Sequence, residues 1–236
     1  MCGDLDFNSK NILKKHILEV SGIQKSFNNK LLLSDIYLKL ETGQVIGLFG
    51  RNGSGKSTLL KIIFGIVPAL DKSIFVNGIS KNNASTLLNE IGYLHQNQFI
   101  PNHFSVLQTI LLSVDKQKAH FVCEDDFLKS LLNQKIRDLS FGELRYLQVK
   151  LILSNQSKFV LLDEPFSGLS PKMIEIVALL IKENSQEKGI IVTDHNYRSV
   201  IEIATDLRIM NNGKLQIINE KAELMQKGYL IDSAIF

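Results

Sequence analysis

This sequence has no long hydrophobic run, few cysteines and no large excess of one charge sign. Its longest apolar stretches, residues 57–70 and 173–181, are interrupted by Lys61 and Glu175. Both stretches fall short of the roughly 18 apolar residues that a bilayer-spanning helix needs, so no segment is expected to cross a membrane. The 2 cysteines are too few for a disulfide framework, which agrees with a reducing compartment.

The N-terminus also lacks the features of an export signal. Residues 1–15 are polar, without an apolar central region or a small-residue cleavage site, so we expect a loosely ordered extension and a cytoplasmic protein. The formal net charge is +3, and the basic residues are not clustered. A nucleic-acid partner is therefore not expected, because such proteins concentrate basic residues on one stripe or face.

What is present is the composition of an ordinary folded domain. The 236 residues are 44% hydrophobic and 22% charged, close to the averages for globular proteins. That length suffices for one α/β domain with a smaller inserted subdomain. No repeat of roughly 20 to 50 residues is visible, which excludes solenoids and propellers.

The hydrophobic pattern of the sequence predicts both antiparallel and parallel strands. Two β-prone runs, residues 17–27 and 31–40, are separated by Asn28 and Asn29 and predict an antiparallel hairpin. The runs 159–162 and 189–193 are apolar at consecutive positions, which is typical of parallel strands buried on both faces. These features predict an α/β fold, with a mostly parallel sheet flanked by helices and an N-terminal antiparallel β-subdomain.

Other segments are predicted to be helices and turns. Ser170 and Pro171 suit the cap and first position of a helix between the two parallel strands. Residues 97–139 lack a strand pattern and have helical apolar spacing, so we expect a short inserted helical subdomain. Residues 207–219 predict a hairpin, and residues 220–226 a terminal helix.

A phosphate-binding loop is the clearest motif. The run Gly-Arg-Asn-Gly-Ser-Gly-Lys-Ser at residues 50–57 follows an apolar strand and precedes a helix, as in P-loop NTPases. Its backbone N–H groups and the helix N-terminus favour phosphate, Lys56 should reach the β- and γ-phosphates, and Ser57 should ligate Mg²⁺. A chance glycine-rich turn is the alternative, but it explains neither the strand before nor the helix after.

A carboxylate pair ends one of the buried strands. Asp163 and Glu164 follow residues 159–162, and ligands collect at the carboxyl ends of parallel strands. Asp163 is then placed to hold Mg²⁺, and Glu164 to polarise an attacking water. Acidic residues after core strands are common in general. The roles expected for Asp163 and Glu164 therefore depend on the phosphate loop, which is expected on the same sheet.

With further motifs in the same order, the chain resembles the ATP-binding cassette (ABC) ATPase family from about residue 17 to 213. Residues 139–143, Leu-Ser-Phe-Gly-Glu, resemble the family signature Leu-Ser-Gly-Gly-Gln. Gln96 resembles the Gln loop, His195 the switch histidine and Phe27 the aromatic residue that stacks on adenine. Residues 167–170 resemble the loop that links two active sites.

The resemblance implies ATP as substrate, Mg²⁺ as cofactor and a set of residue roles. Glu164, His195 and Gln96 would be catalytic, and Ser57, Gln96 and Asp163 would hold Mg²⁺. The signature residues Ser140, Phe141, Gly142 and Glu143 would act on the ATP of a partner chain. The nucleotide-binding residues would be Phe27, Gly50, Arg51, Asn52, Gly53, Ser54, Gly55, Lys56, Ser57 and Thr58.

Three positions depart from the family pattern. Phe141 and Glu143 replace the usual Gly and Gln, while Ser140 and Gly142, which the family uses for γ-phosphate contact, remain. Ser170 stands where Asp is usual, which puts communication between two sites in doubt. The interval between the Gln loop and the signature is also short, which implies a trimmed helical subdomain.

The family resemblance also implies partners and a location. We expect a head-to-tail homodimer, or a heterodimer with another ABC ATPase, attached to a separate transmembrane permease subunit on the inner face of the cell membrane. The ATPase domain would span residues 16–236, with the helical subdomain at about 97–155. Among transporter ATPases, the motifs resemble those of lipopolysaccharide export and branched-chain amino acid uptake.

Two other functions and one docking surface remain open at this point. A non-transport single-cassette ATPase, such as one acting in iron–sulfur cluster assembly, is the main alternative; a different phosphate-loop ATPase or kinase fails to explain residues 140–143. Phe99, Ile100 and Phe104 form an apolar cluster after the Gln loop. Together with Pro101, this cluster is interpreted either as packing beneath the helical insert or as part of a permease-docking surface, which the family resemblance extends to residues near 97–112.

Overall fold

The computed structural model describes residues 15–28, 30–81, 83–97, 100–220 and 223–224. Most of the extension predicted at residues 1–15 and most of the helix predicted at 220–226 lie outside the described residues. Among the described residues, no helix is long and apolar enough to cross a membrane.

Strands and helices alternate along most of the chain. The strands are β1 (Ile17–Phe27), β2 (Lys30–Glu41), β3 (Val45–Phe49), β4 (Asp71–Val76), β5 (Ile79–Ser80), β6 (Ile91–Leu94), β7 (Phe159–Asp163), β8 (Gly189–Thr193), β9 (Asp206–Asn211) and β10 (Lys214–Ile218). The helices are α1 (Lys56–Phe64), α2 (Ala84–Leu87), α3 (Val106–Ser113), α4 (Lys116–Cys123), α5 (Phe141–Ser154), α6 (Pro171–Asn184) and α7 (Tyr197–Ile203).

Two sheets form the scaffold. The first is antiparallel, has the strand order β2-β1-β4-β5 and contains the predicted N-terminal hairpin. The second has the order β10-β9-β3-β8-β7-β6 and is parallel except for the β9–β10 hairpin. The predicted α/β fold class is therefore confirmed. Strands β4 and β5 were not predicted.

The central parallel strands are apolar at consecutive positions because both of their faces are covered. In β7, Val160 and Leu162 belong to one core, whereas Phe159 and Leu161 belong to the other. Successive side chains of a strand point to opposite faces, so a strand between two cores needs an apolar residue at every position. This packing brings the carboxyl ends of β3, β6 and β7, from which the site is built, to one edge of the sheet.

Helices α3, α4 and α5 lie in the segment between β6 and β7. Helix α3 begins at a capping box, in which Ser105 accepts from the Gln108 backbone while the Gln108 side chain accepts from the Ser105 backbone. Helix α5 begins at an equivalent box formed by Ser140 and Glu143. Outside the named strands, one isolated bridge, Ser105 to Lys135, is seen in the part of this segment that is described.

Candidate functional site

The phosphate loop connects the buried strand β3 to helix α1. Gly55 precedes the helix with φ 104°, a left-handed conformation that glycine adopts at little cost. Gly50 is held close to its neighbours, because a Cβ there would meet the Ser54 side chain and the Met210 carbonyl. Lys56 bends over the loop, and its Nζ donates to the Gly50 carbonyl at 2.6 Å. Burial lowers the pKa of Lys56, whereas Asp163 and Glu164 act in the opposite direction.

Asp163 joins this loop to the end of β7. The side chain is buried, Oδ1 accepts from the Ser57 hydroxyl at 3.0 Å, and Oδ2 accepts from the Tyr93 hydroxyl at 3.1 Å. Burial raises the pKa of Asp163, and the two hydroxyl donors partly oppose that effect. Burial and the nearby carboxylate also raise the pKa of Tyr93 above its ordinary value, so the phenol stays a donor.

Glu164 has an unusual backbone conformation. Its φ is 57°, the left-handed region that a non-glycine residue adopts only when its surroundings hold it there. The Glu164 amide donates to the Thr193 carbonyl at 2.7 Å. Gln96 Nε2 donates to Glu164 Oε2 at 2.9 Å, and His195 Nε2 lies 3.5 Å from Oε1. One carboxylate is thus contacted by both other side chains that the sequence predicted to be catalytic.

One cavity contains most of the predicted site residues. It has a volume of about 430 Å³ and is open to solvent on one side. Its lining residues are Leu32, Asn52, Gly53, Ser54, Gly55, Lys56, Ser57, Thr58, Gln96, Glu164 and His195. Phe27 is not among them; its side chain is 52% exposed, and Lys25 Nζ lies 5.1 Å from the ring centroid.

The signature residues lie outside that cavity. Ser140 caps α5, and its backbone N and hydroxyl both donate to Glu143 Oε2 at 2.7 Å. Phe141 is exposed, and its ring covers Gly168, where an added Cβ would collide with it. The larger residue at position 141 therefore fills the space left by a glycine in the loop before α6.

Two polar residues important to this geometry were not predicted. Arg145 on α5 is buried, and its guanidinium donates to the carbonyls of His95, Asp163 and Glu164. Asp194 Oδ2 accepts from the Phe166 amide at 2.8 Å, which ties the loop after Glu164 to the segment containing His195. Burial raises the pKa of Asp194. The available signals were an arginine two residues after Glu143 of the signature and an acidic residue directly after β8.

The oxygen atoms near Asp163 are suitable ligands for a hard cation. Ser57 and Asp163 present oxygen ligands beside the phosphate loop, and Gln96 retains its amide oxygen because it uses Nε2 towards Glu164. Mg²⁺ is usually bound by one or two protein oxygens together with substrate phosphates. In the described part of the chain, no cluster of three or more His, Cys, Asp or Glu residues forms another metal site.

The chain also matches a model of a known protein family. The model of the family described as ABC transporter matches residues 33–167, which is more than half of the chain. The chain belongs to the ABC transporter family. This confirms the resemblance inferred from the motifs, and with it the expectation of an ATP-hydrolysing α/β phosphate-loop protein at the level of the family.

The curated relatives include ATP-binding subunits of both import and export systems. The galactose/methyl galactoside import ATP-binding protein of Fusobacterium nucleatum is 31% identical over 89% of this chain and 45% of its own length. The lipopolysaccharide export ATP-binding protein of Acidithiobacillus ferridurans is 29% identical over 89% of this chain and 92% of its own length. The chain thus spans about half of the import relative and nearly all of the export relative. None of these relatives favours the iron–sulfur alternative.

Solved structures show the same fold. An ATP-binding subunit of an ABC transporter superposes with a TM-score of 0.79 at 20% identity, over 90% of this chain and 94% of that one. A nucleotide-free ATP-binding cassette from an ABC transporter gives a TM-score of 0.74 at 20% identity, over 89% and 94%.

Proposed function

We propose that this chain is the ATP-hydrolysing motor subunit of a membrane transporter whose membrane-spanning part is a separate permease. The observation that carries the proposal is the single cavity in which the phosphate loop, Gln96, Glu164 and His195 meet. A phosphate loop alone would support nucleotide binding. A carboxylate contacted by Gln96 and His195 in the same cavity adds the groups that hydrolysis requires.

Binding of ATP follows from the phosphate loop. Loop N–H groups and the N-terminus of α1 favour the phosphates, and the Lys56 cation lies among them. Ser57, Asp163 and Gln96 would hold Mg²⁺, which neutralises charge on the β- and γ-phosphates when it is bound. Arg51, Asn52 and Thr58 complete the proposed phosphate site, and Phe27 supplies a face for adenine.

Hydrolysis follows from Glu164. Its carboxylate opens onto the cavity and is oriented by Gln96 on one side and His195 on the other. A carboxylate held in this way can accept the proton of a water that attacks the γ-phosphate. The left-handed backbone at Glu164 directs the side chain into the cavity. We therefore assign Glu164 as general base, with Gln96 and His195 as the residues that position it.

The signature motif requires a second chain. Ser140, Phe141, Gly142 and Glu143 do not line the cavity that holds the phosphate loop, although the N-terminus of α5 is an anion-favouring position. A head-to-tail dimer, of two such chains or of this chain and another ABC ATPase, brings each signature to the other chain's ATP. ATP then joins the chains, and loss of the γ-phosphate weakens the interface.

Mg²⁺-dependent ATP hydrolysis by the purified chain is the direct test. The proposal predicts turnover that disappears when Mg²⁺ is chelated and is absent in Lys56→Ala. Purification of the native protein separates transport from the iron–sulfur alternative. An integral membrane protein that co-purifies supports the motor role at the inner membrane face, whereas a soluble scaffold that co-purifies without one contradicts it.

Within the described part of the range near 97–112 that was expected to dock the permease, the exposed apolar side chains are not those of the cluster after the Gln loop. Ile100 is buried, and Phe104 packs against the core, so both favour the alternative of packing beneath the insert; Phe99 lies outside the described residues. Leu111 and Leu112 on α3 and Phe121 on α4 are instead apolar and largely exposed. We propose that these three side chains contact the permease.

A charge on this surface should separate docking from nucleotide binding. Leu112→Asp is expected to reduce co-purification with the membrane subunit by at least about tenfold, because a buried unpaired carboxylate costs several kcal/mol, and to leave ATP binding unchanged. Leu70→Asp is the matched control, since Leu70 and Leu112 are 71% and 72% exposed. Equal loss of association in both variants would contradict the assignment of this surface.

A further inference from the structure

A buried arginine on the signature helix contacts both loops that carry the proposed γ-phosphate residues. Arg145 is 2% exposed, although it stands only two residues after Glu143. Its Nη1 donates to the His95 carbonyl at 3.0 Å. Its Nη2 donates to the carbonyls of Asp163 and Glu164, each at 2.7 Å. One guanidinium thus joins helix α5 to the residue after β6 and to the end of β7 with the residue that follows it.

Each contact lies beside a residue that acts in the cavity. His95 directly precedes Gln96, and the Asp163 and Glu164 carbonyls flank the backbone of the proposed base. The Glu164 backbone is held at φ 57°, and two donors on its carbonyl, Arg145 Nη2 and Nε, help to hold it there. Movement of the arginine would therefore displace the Gln96 and Glu164 side chains together.

The chemistry of the contact requires arginine. A buried cation is costly unless it is paired or fully hydrogen-bonded, and here four oxygen atoms surround it: three carbonyls and Gln148 Oε1. The carboxylates of Asp194, Asp163 and Glu164 add favourable charge interactions. Lysine carries the same charge but lacks the planar fork that reaches several acceptors in fixed directions.

A small cavity and a buried polar group lie beside the arginine. A cavity of about 50 Å³ is lined by Gln96, Phe141, Leu144, Arg145 and Gln148. Gln148 Nε2 is buried and has no hydrogen-bond partner among the described residues. Both the cavity and the Gln148 amide therefore lie between the Gln loop and the signature helix.

From these contacts we infer that Arg145 is a positioning residue that keeps the Gln loop, the Asp163–Glu164 backbone and the signature helix aligned, so that a change at the γ-phosphate in one cavity alters the signature offered to the partner. The inference rests on the proposed function. Arg145 does not line the nucleotide cavity, so its action passes through Gln96 and Glu164.

The test compares Arg145→Lys with Arg198→Lys, a control on α7 whose arginine is exposed and paired with Glu202. We expect Arg145→Lys to lower kcat at least about tenfold, since a small misplacement of catalytic groups costs up to about 100-fold. Its affinity for ATP, measured by equilibrium binding, should stay within about threefold of wild type, because the phosphate loop is not touched. The control should match wild type in both quantities.

A second measurement separates positioning from a general effect on folding. Because Arg145 acts through Gln96 and Glu164, its effect should multiply only in part with that of Gln96→Ala, so Arg145→Lys should lower kcat by a smaller factor in the Gln96→Ala background than in wild type. Effects that multiply in full, an unchanged kcat in Arg145→Lys, or equal losses of ATP affinity and kcat would each overturn the inference.

Should Arg145→Lys not fold, Gln148→Met decides, since it removes one contact of the guanidinium and keeps the helix. Lower kcat with unchanged ATP affinity supports the inference, and wild-type kcat overturns it. Failure of the proposed function is distinguishable, because the wild-type chain would then hydrolyse no ATP at all.

Discussion

The two parts of the nucleotide site are organised in opposite ways. In the phosphate-loop part, hydrogen bonds connect segments that are distant in the sequence. Ser57 donates to Asp163, and Gln96 donates to Glu164. The signature part has its hydrogen bonds within its own first turn, between Ser140 and Glu143, and remains exposed. The fold thus pre-orders the groups to which we assign binding and hydrolysis, and it leaves the signature exposed, as the proposed head-to-tail dimer requires.

This contrast predicts different consequences for substitutions in the two parts. Losses in the phosphate-loop part should appear within one chain, as changes in nucleotide binding or in the chemical step. Losses in the signature part should appear only when two chains meet.

Lys56→Ala should have the largest effect. It removes the cation next to the phosphates, and losing one preorganised charge costs up to about 1,000-fold. We expect kcat/KM for ATP to fall by about that factor. Steady-state kinetics measures this effect, with Lys214→Ala on the exposed end of β10 as control. If Lys56→Ala retained the nucleotide affinity and turnover of wild type, the phosphate-loop part would not be the part that binds ATP.

Glu164→Gln should rank second. It keeps the shape and removes the base, so turnover should fall by at least about 100-fold while ATP binding persists. The ATP-bound chains should then accumulate as dimers, which light scattering detects. Turnover at the wild-type rate would mean that Glu164 is not the base.

Phe27→Ala should have the smallest effect. The ring is half exposed and lies outside the phosphate cavity, and one stacking contact contributes about 1 kcal/mol. We expect the ATP concentration for half-maximal turnover to rise about fivefold, with kcat unchanged. A loss as severe as that of Lys56→Ala would contradict this ranking.

The parts of the fold that could be predicted from the sequence are those in which the residue type alone indicates burial. Strands β7 and β8 are buried at every position, so their apolar runs could be recognised directly. Strand β4 was missed because it begins Asp71-Lys72-Ser73, and its inward positions are seen only when it pairs with β1.

The same distinction applies to the site. The phosphate loop, Gln96, Glu164 and His195 were predicted from motifs, and the structure brings them to one cavity. Arg145 was missed because it binds backbone carbonyls, which every residue type possesses. Ile100 and Phe104 were first considered for docking because an apolar cluster after a strand looks the same whether it is exposed or buried.

Mixing two inactive chains tests the central claim most directly. Lys56→Ala disables the phosphate-loop part, and Ser140→Arg blocks the signature part without touching the cavity. If ATP is held between one chain's loop and the other chain's signature, each variant alone is inactive, but a mixed dimer contains one intact site. We predict that equimolar mixing restores about a quarter of wild-type ATPase activity, given random pairing and independent sites. An active Ser140→Arg chain, or a mixture that stays inactive while wild type hydrolyses ATP, would contradict the account.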